Sequence, residues 1–223
     1  MNILEAIRNR KSIRKFKPEP VPKEVIKDIL EIAGRAPSAL NTQPWEFIVL
    51  AGSVLENIKN GNLKMLNSGA TPSSEFSFVA WPREGVYKER QVGLAMQLFE
   101  LMGIDRKDKE KRNQWLQRGF RFFDAPAVIV ISSDRVLAEA PQALDIGAVM
   151  QNICLAAINF NLGTCIENQG IMYPQILRKF ADIPEERRLI TSIAIGYPDT
   201  DFPANQIVTK REPVDSITTW CGI

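Results

Sequence analysis

Ala127-Val128-Ile129-Val130-Ile131 is an unbroken apolar run, rich in β-branched side chains and without polar alternation. A strand of this kind has no face to give to water, so the run predicts a central strand buried on both sides. Whatever forms must therefore cover a sheet on two faces. The covering material reads as helical. Ile3 to Asn9 suggests a short helix. Pro22-Lys23-Glu24-Val25 opens a second, with Val25, Ile26, Ile29, Leu30 and Ala33 at helical spacing and Gly34 at its expected end. Residues 46–50 predict a strand, and Ser53 reads as the N-cap of a third helix running to Lys59. Helices are expected over 86–102 and 107–122. The helix expected over 141–160 is apolar most of the way round, which implies burial in a core or a subunit interface. A strand near 164–166, a helix over 174–180 and a strand over 190–195 complete the body; the chain beyond Asp199 reads as an extended tail. Strands are few and lack the regular strand–helix alternation of a doubly wound sheet, so the expected class is α+β around a small central sheet.

At 223 residues the chain is most simply one domain, 1–223, because single cores split only beyond roughly 250–300 residues. Residues 61–81 lose periodicity and collect Asn, Ser, Gly and Pro, which predicts a functional or mobile loop. A net charge of +2 gives no strong field for nucleic acid or membrane. The most apolar segment, 143–162, is interrupted by Asp145, Gln151, Asn152, Asn159 and Asn161, too polar for a membrane span. With no secretory layout at Met1-Asn2-Ile3-Leu4-Glu5, a cytoplasmic location is expected. Cys154, Cys165 and Cys221 form no metal-ligand spacing; Cys154 and Cys165 read as inert core thiols. No metal is expected. The absence of histidine is more informative: it excludes Ser-His-Asp and Cys-His catalysis and shifts weight to a bound cofactor.

Two runs near the N-terminus make sense together. In Arg10-Lys11-Ser12-Ile13-Arg14-Lys15-Phe16, an extended backbone would put Arg10, Ser12 and Arg14 on one face, where arginine forks suit phosphate oxygens. A solvated basic strand is the plainer alternative. Pro37-Ser38-Ala39-Leu40-Asn41-Thr42-Gln43-Pro44-Trp45 offers neutral donors and acceptors that match the N–H and C=O edge of a flavin, or it is a polar loop before a strand. A ligand with a phosphate at one end and a polar heteroaromatic ring at the other would use both runs, and flavin mononucleotide (FMN) is such a ligand. Lys210 and Arg211 add two cations in the tail. Asp145, Gln151 and Asn152 on the apolar helix need partners, in another subunit or within the chain. No G-x-G-x-x-G turn or P-loop is present, so a nicotinamide nucleotide would have no Rossmann site of its own.

Taken together these residues resemble the nitroreductase family of FMN-dependent oxidoreductases. The correspondence runs through the two N-terminal runs, Asp124-Ala125-Pro126, Asp145-Ile146-Gly147, Leu162-Gly163-Thr164-Cys165, Ala194-Ile195-Gly196-Tyr197-Pro198 and Lys210-Arg211-Glu212-Pro213. The resemblance implies a mostly antiparallel sheet flanked by helices in an intertwined homodimer with a swapped C-terminal tail. It implies FMN held by Arg10, Ser12 and Arg211 at the phosphate and ribityl end, with Arg14 near the N1/O2 edge and Lys11 and Lys210 also among the cofactor-binding residues. Pro37, Ser38, Ala39 and Asn41 would come from the partner subunit, with Gln43 close by, and the backbone at Gln169 and Gly170 would lie near N5. No catalytic side chain is implied. Hydride would pass from NAD(P)H by way of the flavin to an electron-poor aromatic acceptor, a nitroaromatic or quinone, in two half-reactions sharing one pocket.

Residues 61–122 would form a lid, with Phe76, Phe78, Trp81, Tyr87 and Trp115 for stacking and Arg83, Lys88, Arg90 and Arg121 for charge. The layout is similar to nitrobenzoate-type nitroreductases, which implies an aromatic acceptor with a carboxylate; amphipathic helices over a core are the alternative. A reductive dehalogenase of the iodotyrosine deiodinase type is a second reading, with Glu84, Tyr87 and Lys88 as the nearest candidates for its amino-acid clamp. Flavin destruction, and flavin binding without turnover, are further readings.

Overall fold

The computed structural model describes residues 2–76 and 82–223. The apolar run lies in β2 (Ala127–Asp134), whose two edges pair with β1 (Glu46–Ala51) and β4 (Arg187–Gly196). β3 (Gly163–Glu167) lies outside β4, giving the order β1-β2-β4-β3 with every pairing antiparallel. Val128 to Ile131 are fully buried, as the lack of alternation requires.

Period-two parity divides the core between the two faces. Ile129, Ile131, Ile193 and Ile195 join one cluster with Ile26 and Ile29 of α2 (Lys23–Ala33) and Ile146, Val149 and Ile153 of α6 (Glu139–Asn159). Val128, Val130 and Ala194 join the other, with Leu55 and Ile58 of α3 (Gly52–Asn67) and Leu177 of α7 (Pro174–Ala181). Each fully buried aliphatic side chain contributes about 1.5–3 kcal/mol, so these two layers hold the sheet rigid beneath whatever binds at its edge. The short helix α1 (Ile3–Asn9) is capped reciprocally by Asn2 and Glu5.

Several expectations need correction. The third helix does not stop at Lys59 but runs to Asn67, and its N-cap is Ala51, with no side-chain bond from Ser53. Gly61 is not a breaker: a Cβ there would meet Ile176 of α7 at 2.6 Å, so glycine permits close helix packing. The following segment is tied down by Glu75, which accepts from Arg178 (2.8 Å) and from the Leu189 N–H (3.0 Å) and also pairs with Arg135. The tail is not wholly extended either. Residues 203–206 form a 3₁₀ turn, and Ala204 and Ile207 pack with Leu98 of α4 (Val86–Leu101) beside Trp115 of α5 (Lys109–Phe120). Asp145 and Asn152 find partners within the chain, at the Ala39 N–H and the Ala33 carbonyl. Among the described residues no helix is long and apolar enough to cross a membrane.

Candidate functional site

Ser12 forms a bridge to Thr164 on β3, and the Ile13 N–H donates to the Thr164 carbonyl at 2.9 Å. This extends the basic run along the sheet edge. Ile13 and Phe16 enter the core, while Ser12 and Arg14 stay half-buried at the surface. Arg10, Ser12 and Arg14 line one cavity of about 690 Å³, and so do Lys210 and Arg211. The two ends of the polypeptide thus meet. Lys11 does not line this cavity but a separate one with Lys17 and Tyr197, which Arg10 also borders. Among the described residues Glu212 is the one carboxylate lining the cationic cavity, and it is paired with Arg90 of α4 at 3.0 Å.

Arg14 is the junction. Its N–H donates to Asn205 Oδ1 (2.5 Å), and its carbonyl accepts from Arg118 Nη2 (2.8 Å). Asn205 is buried and also donates to the Lys15 and Asp199 carbonyls, both at 2.8 Å, so one amide ties the C-terminal segment to the basic run. Burial lowers the pKa of Arg14 from the ordinary guanidinium value. Arg14 also lines a second cavity, about 630 Å³, with Lys109, Arg112, Trp115, Phe123 and Gln169. The floor beside it is strained: Phe122, Phe123 and Asp124 all have φ between 54° and 58°. Non-glycine residues in that region cost about 1–3 kcal/mol each and need outside support. Asp124 supplies some through Arg121 (2.7 Å) and Arg118 (3.2 Å); burial raises its pKa, but these cations hold it below the usual value.

Gln169 begins a tight turn, Gln169–Ile171, directly after β3. Its side chain reaches the second cavity, and a Cβ on Gly119 would lie 1.9 Å from its amide oxygen, so the glycine on α5 makes room for it. Gly170 is buried against Phe122, which a Cβ would meet at 2.1 Å. Its N–H donates to Glu167 Oε2 at 3.1 Å, and its carbonyl accepts from Asn62 Nδ2 at 2.7 Å. The Gly170 N–H is therefore directed inward, to Glu167. What this turn shows the cavity is the Gln169 side chain. Burial pushes the Glu167 carboxyl up to about 7.

The 37–43 loop lines neither cavity within the chain. It is nevertheless built to a fixed shape. Leu40, Asn41 and Gln43 have φ of 50°, 59° and 47°, the Gln43 N–H donates to Ser38 Oγ (3.0 Å), and Asp145 accepts from the Ala39 N–H (3.2 Å). Gln43 Nε2 donates to the Asn41 carbonyl (3.1 Å), and Leu40 is 99% exposed.

Residues 7–197 match the sequence model described as the nitroreductase family. The chain belongs to the nitroreductase family. Nitrobenzene nitroreductase of Ectopseudomonas oleovorans is 33% identical over 97% of this chain and 95% of its own length. A 4-nitrobenzoate reductase of Nocardioides sp. strain LMS-CY is 30% identical over 96% of this chain and 87% of its own. The crystal structure of the FMN and NADPH-dependent nitroreductase NfnB from Sphigopyxis sp. strain HMH superposes with a TM-score of 0.94 over 100% of both chains, at 27% identity.

Against this nitroreductase frame the expected lid residues scatter. Phe78 and Trp81 lie outside the described residues. Phe76 packs against the α2–α6 side of the core rather than at either cavity. Tyr87 is 54% exposed with the Arg90 guanidinium over its ring, and among the described residues Trp115 alone of the expected stacking set lines the second cavity. Glu84, Tyr87 and Lys88 are all exposed at the start of α4 and line neither cavity. Burial raises the thiol pKa of both Cys154 and Cys165, as expected of core cysteines. Sequence reasoning missed Asn205, Asn62, Glu167 and Arg118. None lies in a recognisable run, and each acts by reaching a backbone group far away in sequence or across the turn it supports.

Proposed function

We propose that this nitroreductase family member binds FMN and transfers reducing equivalents from NAD(P)H to an electron-poor aromatic acceptor, a nitroaromatic or a quinone. The observation that carries the reading is the meeting of Arg10, Ser12 and Arg14 with Lys210 and Arg211 around one cavity. A cluster of cations whose one carboxylate is already paired is matched by a dianionic phosphate, and arginine forks bind such oxygens bidentately. The donor set therefore fits the phosphate end of FMN. Arg14, shared by both cavities, joins that end to the aromatic wall formed by Trp115 and Phe123.

When bound, FMN supplies a two-electron carrier, and the protein supplies place and charge. Arg10, Arg211 and Ser12 hold the phosphate end. Arg14 keeps a fixed cation where negative charge grows, a preorganised stabilisation that needs no proton transfer. Trp115 and Phe123 exclude water and offer a flat surface to donor and acceptor in turn, giving two half-reactions in one pocket.

A homodimer completes the site. The 37–43 loop presents Leu40 to solvent, Leu144 of α6 is 80% exposed, and the tail exposes Val208, Val214, Ile217 and Trp220. Apolar side chains so displayed, on a loop of fixed shape and on a tail that leaves the body, suit a partner subunit that takes the loop to its flavin and the tail across its surface. Of the expected lid, α4 and α5 then cover the site. Relatives named for nitrobenzene and for 4-nitrobenzoate, and a structural neighbour named for FMN and NADPH, support the acceptor class and the donor. Steady-state kinetics test the shared pocket: parallel double-reciprocal plots for NADPH and acceptor are expected, and intersecting plots contradict it.

A further inference from the structure

Glu167 ends β3 and is 8% exposed. Ser192 Oγ, opposite it on β4, lies 2.6 Å from the Glu167 backbone carbonyl and 2.8 Å from its Oε1. A serine hydroxyl has a single hydrogen, and a carbonyl oxygen can only accept. If that hydrogen goes to the carbonyl at the shorter distance, the contact to Oε1 needs a hydrogen of its own, which only the carboxyl can carry. Oε2 has the opposite role: it accepts the Gly170 N–H, and the Gln169 N–H also bonds to the carboxyl.

We infer that Glu167 is held as a neutral carboxylic acid, its proton on Oε1 shared with Ser192, and that in this form it is the positioning residue for the Gln169–Gly170 turn. That the turn borders a flavin rests on the function proposed above; the protonation does not. Among the described residues no lysine or arginine forms an ion pair with Glu167. From β3, Cys165 is the titratable neighbour, and burial pushes its thiol to about 12, so it stays neutral; the cation facing it is Arg14. From β4 comes Ser192. Behind the turn, Asn62 of α3 and the Phe122 ring contribute no charge. A buried carboxylate without a cation is costly, and burial outweighs the opposing hydrogen bonds from Gly170, Ser192 and Gln169, raising Glu167 to about 7.

Ionisation sends the Oε1 proton to solvent. The Ser192 hydrogen must then choose between two acceptors, and a negative charge appears on the inner side of the turn. Under the proposed function that charge opposes the uptake of electrons on the cavity side. Turnover should therefore fall as pH rises through the Glu167 titration. Glu167→Gln keeps the shape: its amide oxygen accepts the Gly170 N–H and its amide nitrogen donates to Ser192 Oγ, with no titration.

The test is infrared spectroscopy of the FMN-loaded protein, wild type minus Glu167→Gln, followed across pH. A neutral-acid carbonyl band is expected in acid, disappearing around pH 7. Ser192→Ala, which removes the hydrogen-bond partner, should shift that band and serves if Glu167→Gln does not fold. Turnover with NADPH should lose its decline above about pH 7 in Glu167→Gln. Absence of the band in acid overturns the neutral acid whatever the flavin does, and identical pH profiles in the two proteins overturn the positioning role. A protein that shows the band yet takes up no FMN overturns the functional reading and keeps the neutral acid.

Discussion

Asn62→Leu examines the joint between the scaffold and the turn at Gln169. Asn62 is fully buried on α3, and its amide donates one hydrogen to the Phe120 carbonyl (3.0 Å) and the other to the Gly170 carbonyl (2.7 Å). Leucine is close in shape and supplies neither. Two buried carbonyls lose a partner, at about 1–3 kcal/mol each. Part of this is offset because Asn62 Oδ1, itself buried without a partner, is removed too. The net loss should be about 2–4 kcal/mol. For a chain of this size about 2–4 °C of Tm accompanies each kcal/mol, so thermal unfolding followed by circular dichroism should show a fall of about 4–16 °C. Asn62→Asp should be at least as damaging at neutral pH, since it turns a carboxylate toward two carbonyl oxygens. An Asn62→Leu protein that melts with the wild type would refute the reasoning: the carbonyls would have other partners, and α3 would not clamp the turn.

The phosphate end is tested by Arg10→Ala and Arg211→Ala, each of which should weaken FMN binding by about 10- to 150-fold, from roughly 1.5–3 kcal/mol per charge-assisted contact. Riboflavin, lacking the phosphate, should bind wild type and variants alike in fluorescence titrations; an equal loss for both ligands would remove the phosphate assignment. Glu75 gives a pH dependence. Its burial raises the carboxyl pKa, but the Leu189 N–H, Arg178 and Arg135 hold it below the ordinary value on balance. Its contribution is therefore present above the unfolded-state pKa and lost as pH falls through the folded one. The Tm gap between wild type and Glu75→Gln should close on acidification, and a gap independent of pH contradicts the ion-pair account. Finally, Arg14, Lys109 and Arg112 line the second cavity, and under the proposed function they should favour an anionic acceptor. The ratio of kcat/KM for 4-nitrobenzoate over nitrobenzene should exceed one and fall in Arg112→Ala; a preference for the neutral compound removes that reading.

Much of the fold was legible because burial leaves a periodic trace. The run at 127–131 announced a strand covered on both faces, and residues 141–160 announced a helix, of which Ile146, Val149 and Ile153 enter the core while Leu144 stays exposed. Gly61 shows where local reading fails. Glycine and asparagine over 60–62 look like a loop, yet Gly61 admits Ile176, and Asn62 spends its amide on two distant carbonyls. Tertiary contact there overrides propensity. The tail misled for the same reason: Asn205 is a lone polar residue in sequence, but the folded chain gives it three backbone partners. At the site, alternation grouped Arg10, Ser12 and Arg14 around one cavity, whereas Lys11 lines another that Arg10 also borders. The Gly170 N–H could not be placed by sequence, because its acceptor, Glu167, carries no motif. The left-handed turn at 122–124 left no trace either, since nothing in Phe-Phe-Asp asks for positive φ.

Under the proposed function, cations from both ends of the polypeptide close on a flavin phosphate that NAD(P)H chemistry then uses. The direct measurement is the visible absorbance spectrum of the purified protein with FMN, taken anaerobically before and after NADPH and again after a nitroaromatic is added. A stoichiometric yellow chromophore is expected, bleached by NADPH and restored by the acceptor. A protein that stays colourless with excess FMN, or whose bound flavin ignores both NADPH and NADH, contradicts the account.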